Sequence, residues 1–397
     1  MTKIAKIRPV LLSAHYGDKN SNAEVQLHLP SGYRSCGMVE ITLDNGIRGL
    51  GEGYLAVFAP RVFTEIVKLL IPYIQDREIE DRQDILDDLI TATGYWSLQG
   101  AARHTISAVE IALLDCTAQI QEIPVFKLLG GKMKPLPLYG SGGDSINSRY
   151  MEKELQYLYK QGIQFFKLRA RAAALEKVIW TISRAKAYDI QVAVDMTQNL
   201  ANPGQTVEEV LKFEDRIFKA TGEWPFFLEE PLGMNYNSHY PQLKEKARSK
   251  IAGGEIITTE FEMIDRIRKN YFDMVQPDAT VIGGIETVVK IFKESAENEV
   301  NTLVHCWGGP VSMMANYHAA IAGNGKLAEW PMPDFPLREE MITEPWNIQA
   351  GFLHLPESPG LGVQLTKETE RRYPFKKDAV YSCLPVKQLN YKKSDWK

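Results

Sequence analysis

Residues 36–44 (CGMVEITLD) alternate apolar and polar side chains, which predicts a strand with one buried face. Asn45-Gly46 follows and supplies a hairpin turn. Residues 61–75 and 101–121 instead repeat apolar positions at i, i+3 and i+4, the period of amphipathic helices. Four glycines (Gly46, Gly49, Gly51, Gly53) crowd the segment NGIRGLGEGY, but without the spacing of a phosphate-binding loop, so they read as a hairpin and tight turns. Tyr95 and Trp96, ahead of the second helix, read as packing residues. Leu128-Leu129-Gly130-Gly131 closes this block in a turn.

From about residue 135 short apolar runs alternate with longer amphipathic stretches. The runs are PLPLYGS (135–141), FFKLR (165–169), IQVAVD (190–195), PFFLEE (225–230), IAGGE (251–255), FDMVQPD (272–278), TLVHC (302–306) and KLAEW (326–330). Helical segments such as 151–161, 173–187, 206–219, 260–269 and 284–298 lie between them. Strand, crossover and strand again, repeated eight times at roughly even spacing, predict a parallel sheet closed into a barrel. An open doubly wound sheet is the alternative. After about residue 340 turns and polar residues return.

Length and composition narrow this picture. The chain has 397 residues, 44% hydrophobic and 24% charged, the values of an ordinary globular protein of two or three domains or of one barrel with an addition. A net charge of −4 argues against a nucleic-acid binder. Cys36, Cys116, Cys306 and Cys383 are widely scattered, which fits a reducing compartment better than a disulfide framework or a zinc site. No run of apolar residues reaches a membrane span, and the N-terminus lacks a signal-peptide core, so a soluble cytoplasmic protein is expected.

The chemistry is at the strand ends. Consecutive runs finish on Lys167 and Arg169, Asp195, Glu229, Glu255, Asp278, His305 and Glu329. One such residue commonly faces solvent or caps the next helix. A whole series does not, because charge at the end of a buried strand is costly unless paired or metal-bound. In a parallel barrel these ends line the face that carries catalysis. Asp195, Glu229 and Glu255 come from three successive strands. Their mutual repulsion would be relieved by a hard divalent cation, and all-oxygen ligation favours Mg2+ or Mn2+ over zinc. Glu229 and Glu230 are neighbours on a strand and point to opposite faces, so only one can line the barrel. Lys167 and Arg169 share a face and suit a carboxylate substrate. Asp278 beside His305 would fix the imidazole tautomer and make it a general base. The remaining histidines (His15, His28, His104, His239, His318, His354) read as structural, His15 least firmly because it sits in a polar loop.

These residues resemble the enolase superfamily, in its mandelate racemase-like subgroup. NGIRGLGEG and AVEIALLDCTAQIQEIPVFKLLGG look like its capping domain, and SPGLGVQLTKETERRY like the segment returning to that domain. FKLR looks like the family's Lys-x-Lys strand, VDMTQ, LEEP and GGE like its metal strands, QPDATVIGG and LVHCW like its Asp and His, and LAEW like its last-strand Glu. The resemblance implies an α+β capping domain (1–131), a (β/α)7β TIM-like barrel (132–345) and a returning C-terminal segment (346–397). It assigns Glu229 rather than Glu230 to the metal. It implies Mg2+ bound to a substrate carboxylate while a base removes the α-proton.

One departure directs the reaction. The second motif lysine is Arg169, a poor base, so two-base racemisation is disfavoured. Asp278 stands where cycloisomerases of the muconate type and dipeptide epimerases carry a lysine, which disfavours those activities. The expectation is a sugar-acid dehydratase. His305 removes the α-proton and returns it to the departing β-hydroxyl, Asp278 orients His305, Lys167 and Arg169 bind substrate oxygens, and Glu329 bonds a carboxylate oxygen. Glu329 would then have to be protonated or strongly paired. The alternatives are an epimerase, racemase or lactone cycloisomerase with Lys167 as second base, and a non-catalytic sugar-acid binder. Specificity is expected from the loop at His15-Tyr16 and the turn at Tyr54. A small-molecule carboxylate partner and a homo-oligomer are expected, with no nucleic acid and no membrane.

Overall fold

The computed structural model describes residues 2–198, 201, 203–382 and 393–396. Cys383 therefore lies outside the described residues, and Cys36, Cys116 and Cys306 are buried free thiols. The chain opens with an antiparallel sheet, β1 (Ile4–His15), β2 (Tyr33–Leu43) and β3 (Arg48–Glu52). Arg8 and Pro9, which break the apolar pattern, do not break β1. Pro9 sits opposite Val39 on an edge strand, where a missing N–H is tolerated. The β2–β3 hairpin turns at Asn45-Gly46 as expected.

The three longest helices of the cap are α1 (Pro60–Ile74), α2 (Arg82–Thr93) and α3 (Ala101–Ile120). α3 is buried along most of its length and lies directly on β3. This contact explains the glycine cluster. A Cβ at Gly51 would stand 1.7 Å from the Ala108 carbonyl oxygen, and one at Gly49 2.3 Å from that of Ala112. The glycines admit a helix rather than a phosphate. Tyr95 and Trp96 overturn their expectation. Both project from the turn after α2, Tyr95 fully exposed and Trp96 half exposed, because Ser97 is the residue that turns inward there and receives the Ala102 N–H.

Eight parallel strands then form a closed barrel: β4 (Leu136–Gly142), β5 (Phe165–Arg169), β6 (Gln191–Asp195), β7 (Phe227–Glu229), β8 (Lys250–Gly253), β9 (Met274–Val275), β10 (Asn301–Thr302) and β11 (Ala328–Pro331). β11 pairs with β4, and a bridge from Val304 to Ala328 joins the seventh and eighth positions, so the sheet is not open. Seven helices make the crossovers: α4 (Ser148–Gln161), α5 (Leu175–Ala185), α6 (Val207–Thr221), α7 (Tyr240–Lys246), α8 (Glu260–Arg268), α9 (Ile285–Glu297) and α10 (Pro310–Ala322). Tyr139, Ala193, Phe227, Ala252, Met274, Leu303 and Leu327 fill the interior. Ala193 and Phe227 lie two residues before Asp195 and Glu229. The strand period therefore puts apolar packing low in the barrel and charge at its mouth.

The C-terminal segment does more than return to the cap. β12 (Asn347–Gln349) and β13 (Phe352–His354) first make a hairpin on β4, with Phe352 opposite Pro137. The chain then reaches the cap sheet, where Pro374 bridges Leu12 and Glu370 pairs with Arg8. Buried acids join cap to barrel. Glu52 accepts from the N–H groups of Gly309 and Ser312 at 2.6 and 2.9 Å, at the start of α10. Glu110 on α3 accepts from Ile285 and Glu286 at 2.8 and 2.9 Å, at the start of α9. Carboxylates suit both places, since the first N–H groups of a helix have no partner within it.

Candidate active site

Every strand-end residue singled out above lies at the barrel mouth, and the structure groups them by charge. Lys167 on β5 points inward between two carboxylates. Its Nζ is 2.7 and 2.9 Å from the Glu229 oxygens and 2.8 Å from Glu329 Oε1. Burial opposes its charge, but Glu229 and Glu329 outweigh burial and hold the ammonium well above the ordinary lysine range. Gln276 also donates to Glu229. Glu329 accepts the Cys306 N–H at 2.6 Å, so both of its oxygens are engaged, one by that N–H and the other by Lys167.

Arg169, two residues along the same face, donates from Nε to Asp195 at 3.2 Å and from Nη1 to Asp144 at 3.3 Å. Its guanidinium lies 4.9 Å from the Trp307 ring centre and 3.5 Å from Glu24 of the cap. Asp195 also accepts from the Thr197 N–H at 2.8 Å. Glu230 faces away from Lys167, accepting from the Gly254 N–H at 2.8 Å. The adjacent acids of LEEP thus split between the barrel mouth and the backbone behind it.

His305 follows β10. Its Nδ1 is 2.8 Å from Asp278, and its Nε2 is 3.3 Å from Glu255. Asp278 is itself fixed by Thr280 and by Asn316 Nδ2 at 2.9 Å. Burial lowers the imidazole pKa, but Glu255, Asp278 and Glu329 together push it up to about 10. The Tyr54 ring of the cap meets the His305 ring edge-on at 5.8 Å. Tyr16 reaches the same region by donating to Glu24 at 3.3 Å, whereas His15 is exposed and meets Tyr33 edge-on. Of the other histidines, His318 accepts from the Phe126 N–H and is structural.

Glu24, Asp144, Trp307 and Gln276 belong to this site and were not singled out from the sequence. Asp144 carried a signal, since it lies two residues beyond the first barrel strand, the same strand-end position as the others. Glu24 carried none, because only the docking of the cap brings it to Arg169.

Among the described residues no three His, Cys, Asp or Glu side chains already form a metal shell. Asp195 and Glu229 are paired instead with Arg169 and Lys167, and Glu255 faces His305. The donor set nevertheless suits a hard divalent cation. Asp195 and Glu229 stand opposite one another on neighbouring strands, and Glu255 follows the next. Burial raises the pKa of Asp195 and Glu229 despite their cations, and Glu255 adds to both. A divalent ion relieves that kind of crowding with oxygen ligands alone.

Comparison with known proteins agrees with this architecture. Residues 30–130 match the N-terminal domain of mandelate racemase and muconate lactonizing enzyme, and residues 150–369 match the enolase C-terminal domain-like family. The chain is 30% identical over 346 residues to arabinonate dehydratase of Saccharolobus solfataricus, covering 85% of this chain and 90% of the relative. It is 27% identical over 346 residues to D-galactonate dehydratase of Verminephrobacter eiseniae, covering 83% and 88%. In structure it resembles the 3,6-anhydro-D-galactonate cycloisomerase of Zobellia galactanivorans, with a TM-score of 0.81, 23% identity and coverage of 94% and 100%.

Proposed function

Because this chain belongs to the enolase superfamily, as a mandelate racemase-like member, we propose that it removes water from a sugar acid to give a 2-keto-3-deoxy acid. The observation that carries this reading is the asymmetry of the bases around the mouth. On one side His305 is tied through Nδ1 to Asp278 at 2.8 Å, and its imidazole would be free to take and return a proton once a cation engaged Glu255, the carboxylate 3.3 Å from Nε2 that most favours the protonated ring. On the other side Lys167 is locked between Glu229 and Glu329, and Arg169 is a guanidinium held by Asp195 and Asp144. One base serves a β-elimination, whereas racemisation needs a second on the opposite face.

The steps follow from that arrangement. Asp195, Glu229 and Glu255 would hold a divalent cation, Mg2+ above all, which when bound supplies positive charge against the substrate carboxylate. His305 Nε2 takes the α-proton, and Asp278 stabilises the imidazolium that results. The carbon–oxygen bond at the β-carbon then breaks, and His305 gives its proton to the departing hydroxyl, releasing water. The enol left behind tautomerises to the ketone. Lys167 and Arg169 orient the substrate oxygens, and Glu329 accepts a hydrogen bond or holds Lys167 in place for that contact. The dehydratase names of the relatives support this choice.

The test is proton NMR of the Mg2+-loaded protein with a panel of sugar acids in D2O. Dehydration predicts a new deoxy CH2 or CHD signal as the acid disappears. Exchange of the α-proton without that signal but with the epimer appearing would instead point to epimerisation, with Lys167 as the second base. His305→Asn is expected to lower turnover about 10²- to 10⁴-fold, the usual share of a general acid–base group, while Mg2+ binding persists.

A further inference from the structure

Arg34, on β2 of the cap, is a large buried cation near the mouth that the proposed reaction does not use. Its side chain is buried, with 1% of the residue exposed, and among the described residues none of Nε, Nη1 and Nη2 meets a hydrogen-bond acceptor. It sits instead in an aromatic cage, 4.9 Å from the Tyr16 ring centre and 5.9 Å from those of Tyr54 and Phe335. The acids nearest to it are already engaged. Glu24 accepts from Tyr16 and Trp307, and Glu52 accepts the N–H groups that start α10. The neighbouring Arg338 adds positive charge, while its own donors are taken by carbonyls such as that of Gly308.

The cage is continuous with the site. Tyr54 packs edge-on against His305, and Tyr16 reaches Arg169 through Glu24. Arg34 thus closes a chain of contacts that runs over the mouth from the base to the substrate-binding arginine. A buried guanidinium with every donor unmet is costly, and the group that suits its planar fork best is a carboxylate bound through two oxygens.

We infer that Arg34 binds a second carboxylate of the substrate, at the end away from the reacting carbon, and that the acid taken by this site is an aldarate rather than an aldonate. The inference rests on the sugar-acid reading above and adds the charge of the far end to it. Arg34 is then a specificity residue, remote from the carbon that loses its proton.

The test is isothermal titration of full-length, Mg2+-loaded His305→Asn protein, which should bind without turnover. The probes are galactarate, glucarate and mannarate, each against its own aldonate. At least one diacid is expected to bind about 10- to 100-fold tighter than its aldonate, the margin of a charged hydrogen-bonded pair, and adding Arg34→Met should erase that margin. Arg34→Lys keeps the charge but not the fork, covers the case in which the Met variant does not fold, and should also lose most of the margin. Diacid and aldonate binding alike would overturn the inference and leave the sugar-acid reading standing. No binding of either would overturn both. In thermal melts without ligand, Arg34→Met should unfold at a higher temperature than its parent, since it deletes an unpaired buried charge. A lower melting temperature with the diacid margin intact would make Arg34 a structural member of the cage and overturn the inference.

Discussion

Lys167 shows why residue type alone does not decide a role. A lysine at a barrel mouth can be a base only if it loses its proton easily, and here two buried carboxylates hold the proton on. Removing the ammonium would leave Glu229 and Glu329 buried without their common cation. Lys167→Met is therefore expected to destabilise the protein by about 3–5 kcal/mol, the cost of breaking a buried ion pair from one side. Chemical denaturation measures it, and Mg2+ should restore part of the loss by engaging Glu229. A loss under about 1 kcal/mol would contradict the clamp, because that is the range of exposed pairs. The strand-end residues themselves were legible because a period of two places them in register with a buried, apolar strand. Arg34, Glu24 and Trp307 were not. Their meaning depends on a contact between segments hundreds of positions apart, Trp307 with Glu24 for instance, and no local pattern records it.

Among the elements, the helices and long strands were the readable part and the short strands were not. α8 and α9 fall within a residue of the amphipathic stretches 260–269 and 284–298. FDMVQPD, by contrast, contains only the two-residue strand β9, and TLVHC only Thr302, the second residue of β10. Beyond those pairs the chain leaves the ladder to turn Asp278 and His305 into the mouth, so function shortened what hydrophobicity alone would extend. The docking of α3 onto the start of α9 was hidden for a related reason, since Glu110 sits among apolar neighbours (Val109, Ile111, Ala112, Leu113) in the buried stretch of that helix. Burial pushes Glu110 up to about 8 from its ordinary 4.5, although the Glu286 and Ile285 N–H groups pull the other way. The folded state then binds a proton that the unfolded chain has lost. Its stabilising contribution is present below about pH 4.5 and declines as the pH rises towards 8. Glu110→Gln should flatten that decline in melting temperature across the same window. A variant whose melting temperature keeps the parent's pH slope would show that Glu110 stays ionised on its two N–H donors.

At the scale of the whole molecule, cap and barrel share a hydrophobic cluster, although the cap sheet and helices also keep a core of their own around Phe63, Leu89 and Leu113. A single buried cluster runs from Leu12 and Met38 of the cap sheet through Val194 and Leu228 of the barrel to Leu361 of the returning segment. The acids of the mouth lie against that cluster, and their repulsion is a cost the folded state carries whenever the charge between them is incomplete. A divalent cation that binds only the folded acids must therefore raise stability by mass action, by about 2.7 kcal/mol when its concentration is 100 times its dissociation constant. Because the core is shared, the gain should not stop at the barrel. Mg2+ is expected to move a single cooperative melting transition upwards, cap included, and chelation should reverse the shift. Asp195→Asn should abolish the response, as it removes one of the three carboxylates. A rise confined to one of two separate transitions would show that the cap melts independently, and that the buried acids joining it to α9 and α10 hold it less firmly than their burial suggests. A rise that survives Asp195→Asn would move the cation away from the barrel mouth, and with it the positive charge that the proposed elimination needs beside the substrate carboxylate.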